Sequence, residues 1–167
     1  SQNNTPYSVL DSNSSGVVYS EGATFIALEN QQKENTYAVV EAIQIQNELK
    51  IDEVESFITN FLENNKLRIQ DIDAVILGNN GDILFDGYYK PVASIFNQIP
   101  QVYYKHLSGE FNTASAFGFW VAASILKNQA IPQILKMNTI DKSNFSKVVL
   151  YNQFQGKDHS LVLLSKC

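Results

Sequence analysis

Thr113-Ala114-Ser115-Ala116-Phe117-Gly118-Phe119-Trp120-Val121-Ala122-Ala123-Ser124-Ile125-Leu126-Lys127 decides the fold. Its apolar side chains occupy almost every azimuth of a helix, and such a helix has to be covered on all sides. In a chain of 167 residues, one sheet covers only one side, so a second body is expected over the other. Immediately before it, Val102 to Tyr104 reads as a short strand that leads into Lys105-His106-Leu107-Ser108-Gly109-Glu110. Pro132 closes the turn that follows the helix.

The flanking segments alternate strand and helix. Ala74 to Leu77 is a short apolar run followed by the turn-forming Gly78-Asn79-Asn80-Gly81-Asp82. Leu84 to Asn97 carries a helical pattern in which Pro91 must either kink the helix or start its second part. Upstream, Val54, Phe57, Ile58, Phe61 and Leu62 recur at helical spacing over Asp52 to Asn64, with Asp52 and Glu53 in the first turn where the helix dipole favours them. Two β-prone runs, Val17 to Leu28 and Tyr37 to Ile45, flank a polar turn and predict an antiparallel pair. Lys147 to Phe154 and Leu161 to Leu164 form a closing hairpin around Gly156. The order β-β-α-β-α-β-α-β-β, six strand runs in all, predicts an α/β fold, and a mixed five-stranded sheet carrying helices on both faces is expected. Residues 1–15 are expected to be an irregular segment, and 16–167 one domain.

Composition removes several function classes. Twelve Lys+Arg against seventeen Asp+Glu leave a net charge of −5, and no stretch is densely basic. Nucleic-acid backbones and anionic membranes therefore lose their main attraction. No uncharged run is long enough to span a bilayer, and the polar start has neither the basic nor the apolar region of a secretory signal. A cytoplasmic protein without membrane insertion is the expectation. The single cysteine, Cys167, excludes an internal disulfide framework and a multi-cysteine zinc site. His106 and His159 have no second ligand at helical or strand spacing, so no metal or other cofactor is assigned, and both are read as surface histidines.

Ligands of open α/β sheets sit beyond the carboxyl ends of the parallel strands. Two segments leave such ends, Gly78 to Asp82 and His106 to Glu110, and both should lie on one edge. Neither carries a phosphate cradle, because no Gly-Lys-Ser/Thr follows the glycines. On residue chemistry alone, Asn79, Asn80 and Asp82 simply make a turn, and Lys105 with Glu110 is an ion pair of small consequence.

The order of motifs changes that balance. Ser20-Glu21-Gly22-Ala23 with Ala27-Leu28-Glu29 is similar to a Gly-Glu-Gly-Ala … Val-Leu-Glu strand, and Ile72-Asp73-Ala74-Val75 with Gly78 to Asp82 stands where a strand ends in His-Gly-Thr-Gly-Thr. Asp86 matches the Asp beyond that motif, and Lys105 to Glu110 resembles Lys-Ser-x-x-Gly-His. Ala130-Ile131-Pro132 resembles Gly-x-Ile-Pro, and Phe154, Gly156 and Ser160-Leu161-Val162 resemble Phe-Gly-Gly … Ser-Leu-Val. Together, from about Leu10 to the C-terminus, the chain resembles the C-terminal half of a β-ketoacyl-(acyl-carrier-protein) synthase of the thiolase-like superfamily, with a degenerate active site.

The resemblance implies one half of a thiolase-like fold whose apolar helix is buried between two stacked halves. It also implies an acyl site at Asn79, Asn80, Asp86, Lys105, Glu110 and Phe154, with no catalytic residue of its own. The family's nucleophilic cysteine belongs to the N-terminal half, the first active-site histidine falls at Gly78 or Asn79, and the second is Glu110. An imidazole donates hydrogen bonds while neutral, and an ionised glutamate does not. Three roles follow as expectations: an inactive, chain-length-factor-like subunit or fragment of fatty-acid or polyketide-type biosynthesis; half of an active acyl-transferring condensing enzyme; or a module that binds acyl chains or acyl carrier protein. The partners implied are a thiolase-type N-terminal half or a ketosynthase subunit, possible acyl carrier protein, and a homo- or hetero-oligomeric state.

Overall fold

The computed structural model describes residues 15–167; the irregular segment expected over 1–15 lies outside the described residues except for Ser15. Five strands form one sheet: β1 (Val39–Gln46), β2 (Ala74–Leu77), β3 (Gln101–Tyr103), β4 (Lys147–Phe154) and β5 (Lys157–Ser165), in spatial order β1-β5-β4-β2-β3. The strands β4, β2 and β3 run parallel, while β5 is antiparallel to both β4 and β1. The fold is thus α/β with a mixed five-stranded sheet and helices on both faces.

Period-two alternation divides the core. Val75, Leu77, Val149, Tyr151, Leu161 and Leu163 face one way, toward α1 (Val54–Asn64) and α2 (Tyr89–Ile95). Ala74, Ile76, Val148, Leu150 and Leu164 face the other way, toward the long apolar helix Ala114–Asn128. Pro91 sits in the first turn of α2, where its missing N–H costs nothing, so the helical pattern of Leu84 to Asn97 is entered by a 3-10 turn, Asp86–Tyr88, rather than kinked. Lys105–Ser108 forms a single helical turn, α3, and Ala114–Asn128 is therefore α4.

One expectation fails. Val17 to Leu28 does not pair with Tyr37 to Ile45. Instead β1 pairs with β5, from Val39 opposite Ser165 to Gln46 opposite His159. The upstream run is drawn elsewhere: Tyr19 makes an isolated parallel bridge to Glu110, through Ser20 N donating to Glu110 O at 3.0 Å and Glu110 N to Val18 O at 2.9 Å. Anchored at the far edge of the sheet, residues 23–28 form no strand, and Phe25 is 96% exposed. The matched β-propensity of two sequence-adjacent runs lost here to long-range pairing.

The second covering body expected for α4 has a narrower face to cover. Ile125 and Leu126 are buried within the chain, Phe117 and Phe119 pack partly against the core, and Trp120 remains 47% exposed, its ring stacked on Phe117 at 5.4 Å.

Candidate functional site at the carboxyl edge

Because β2 and β3 are parallel neighbours, the segments leaving their carboxyl ends meet. After β2 the chain turns through Gly78-Asn79-Asn80-Gly81-Asp82, with Gly81 at φ +88°, a conformation glycine adopts without steric cost. The Asp86 carboxylate closes this turn, accepting Asn80 N at 3.2 Å and Gly81 N at 2.9 Å. Asn80 Oδ1 accepts Asp82 N at 3.1 Å. Burial raises the Asp86 pKa, opposed by these donors, by the Asn79 side chain and by the Lys105 charge.

After β3, Tyr104 leads into α3, and Gly109 at φ +66° turns the chain so that Glu110 points back. Glu110 Oε2 receives Lys105 Nζ at 2.8 Å and Asn80 Nδ2 at 2.6 Å. Lys105 is 3% and Glu110 5% exposed, so this is a buried, charge-assisted pair rather than the solvated contact its residue types suggest. Burial depresses the Lys105 pKa, and Glu110 and Asp86 oppose that shift. The Glu110 backbone is clamped by Val18 and Ser20, and Ser20 Oγ bonds the carbonyl of Ser108.

Gly78 has no space for a side chain. A Cβ there would overlap Asn152 Oδ1 and lie 2.8 Å from the Tyr89 hydroxyl. Asn152 Oδ1 also accepts the Tyr104 hydroxyl at 3.1 Å. Sequence reasoning missed Asn152, Tyr104 and Tyr89 at this edge. Asn152 was accessible in principle, since it follows Tyr151, the register partner of Leu77, and so comes beside Gly78.

Five of the six anticipated residues therefore converge: Asn79, Asn80, Asp86, Lys105 and Glu110. Phe154 does not join their hydrogen-bonded cluster. It sits at the tip of the β4–β5 hairpin opposite Lys157, 42% exposed, because β4 runs beyond the point where β2 ends. His159, read as a surface residue, is fully buried.

Chemically the cluster is one ammonium between two carboxylates, laced with amides. Asn79 is buried, with Oδ1 lacking a hydrogen-bond partner among the described residues. No group of three or more His, Cys, Asp or Glu side chains among the described residues could hold a metal. Nor is any described helix long and apolar enough to cross a membrane.

No family model and no curated protein matches this sequence. Solved structures do. The chain is similar to the ishigamide ketosynthase/chain length factor, at 15% identity and TM-score 0.63 over 78% of this chain and 38% of that one. A type II PKS acyl-carrier protein in complex with its ketosynthase bound to the hexaketide matches at 14% identity and TM-score 0.63, over 78% and 39%. The ketosynthase from module 1 of the bacillaene synthase from Bacillus amyloliquefaciens FZB42 matches at 14% and 0.62, over 78% and 30%. This chain thus spans well under half the length of these structures, and shares their fold over that part.

Proposed function

We propose that this chain is the C-terminal half of a ketosynthase-like protein, acting as a non-catalytic, chain-length-factor-like element beside a thiolase-type N-terminal half. One observation carries the reading: the site edge is occupied by its own side chains. Glu110 is held by Lys105 and Asn80, and of the two places where the first family histidine falls, Gly78 has no space for a Cβ and Asn79 is an amide, so neither histidine position offers an imidazole. Condensation needs a thiolate to carry the acyl group and donors for the developing oxyanion. A carboxylate already accepting two hydrogen bonds supplies neither.

The uncovered Trp120 face of α4 and the greater length of the similar structures support a second half stacked on that helix. The testing experiment is incubation with acyl-carrier-protein thioesters, read by intact mass. The chain alone is expected to stay unmodified, including in Cys167→Ser. Adding a candidate N-terminal half should yield a complex without condensation product. Turnover by that complex would instead establish the reading as half of an active condensing enzyme.

A further inference from the structure

His159 is a buried histidine that the carboxyl-edge cluster does not use. It lies in β5 with no solvent exposure. Nε2–H donates to the Gly156 carbonyl at 3.0 Å, and Nδ1 accepts the Tyr151 hydroxyl at 2.8 Å. That pair of contacts suits one neutral tautomer; a second ring proton on Nδ1 would turn the Tyr151 hydroxyl from donor to acceptor and would place a charge at a buried site. The Tyr88 ring stands 5.2 Å from the imidazole and presses on Gly156, where a Cβ would come within 2.8 Å of its hydroxyl.

The turn it holds is conformationally demanding: Gln155, Gly156 and Asp158 all have positive φ. The same turn is bonded to the segment carrying Asp86, since Gln153 Oε1 accepts Gly156 N at 2.7 Å while Gln153 Nε2 donates to Phe85 O at 3.2 Å. Tyr89 meets Tyr151 edge-on at 5.5 Å and its hydroxyl accepts Gln153 N at 3.3 Å.

We propose that His159, Tyr151 and Tyr88 form an acid-released latch that pins the β4–β5 turn to residues 85–89, keeping the carboxyl-edge cluster closed at neutral pH and loosening it on acidification. The 3-10 turn before α2 offers the imidazole Tyr88, β4 offers Tyr151, and β1 offers uncharged Gln46 in register. On its own hairpin, Asp158 is exposed and Lys157 pairs with Glu48 at 3.8 Å. No buried carboxylate among these compensates an imidazolium. Burial accordingly depresses the His159 pKa, with the Gly156 carbonyl and Asp158 opposing.

The sign follows by linkage. A histidine whose closed-state pKa lies below its open-state value near 6.5 binds more protons when open. The latch is therefore fully closed above about pH 6.5 and weakens as pH falls toward the depressed value. In that window each pH unit raises the opening constant by up to about tenfold.

The test is hydrogen exchange of the full chain between pH 7.5 and 5.0, corrected for intrinsic rates. Amides of 153–159 and 79–89 are expected to lose protection together on acidification, with protection in α1 unchanged. His159→Gln, which can donate to Gly156 O and accept from Tyr151 without titrating, should abolish that pH dependence. His106→Gln should not. If His159→Gln fails to fold, Tyr151→Phe serves: it removes the donor to Nδ1 and should shift release to higher pH. Protection that is independent of pH, or whose pH dependence survives His159→Gln, overturns the latch. So does opening of 153–159 that leaves 79–89 protected. None of these outcomes depends on the ketosynthase-like reading.

Discussion

At the scale of single residues, the decisive contact is Glu110 against Lys105. Two opposite charges removed from water repay their desolvation only when well bonded, and here Asn80 adds the second donor to the same oxygen. Lys105→Met leaves Glu110 buried without its cation and is expected to cost about 3–5 kcal/mol. Lys105→Met combined with Glu110→Leu should recover most of that loss, since an apolar pair replaces an ion pair at little cost. Urea denaturation of the double-mutant cycle measures both. A single variant as stable as the parent would show the pair to be solvated. The residue types were legible in the sequence, but their burial was not, because burial depends on residues 18–20 arriving from the other end of the chain.

Among the elements, α4 is held against the sheet through Gly118, where an added Cβ would lie 2.7 Å from Tyr104 Cε1. Alanine gains about 1 kcal/mol in helix propensity over glycine. Overpacking costs about 1–3 kcal/mol when the neighbour cannot give way. Tyr104 is fully buried and tied to Asn152, so the overlap is expected to win and Gly118→Ala to lower the melting temperature. A rise in melting temperature would mean that Tyr104 moves freely. The upstream segment makes the contrary case. Residues 23–28 have strand composition but no strand, and Phe25 projects into solvent. Limited chymotrypsin digestion should cut first at Phe25, before any site in α4 or β4. Their β-pattern was plain in the sequence, yet pattern does not name a partner, and β1 found its own in β5.

For the whole molecule, the open question of the sequence was what covers α4. The chain itself buries Ile125, Leu126, Val121 and Ala122, and leaves Trp120 half open. Fully burying a large apolar side chain contributes about 1.5–3 kcal/mol, offset by the translational and rotational cost of association. The chain alone is expected to self-associate at micromolar concentration, or to bind a thiolase-type N-terminal half, with Trp120 becoming shielded as it does. Sedimentation together with acrylamide quenching measures this. A stable monomer whose Trp120 stays open to quencher in the presence of that half would refute the stacked arrangement.

The residue pattern was enough for the local grammar: helical spacing in α1 and the all-round apolar character of α4. It also placed both loops on one edge, since that follows from strand direction alone. Tertiary structure decided the rest. Whether Lys105 and Glu110 are buried, whether Gly78 has room for a side chain, whether His159 is wet or sealed, and which strand lies beside β1 all depend on segments far apart in the chain. These are questions of burial and register, and the free energies that settle them arise from contacts that local pattern does not contain.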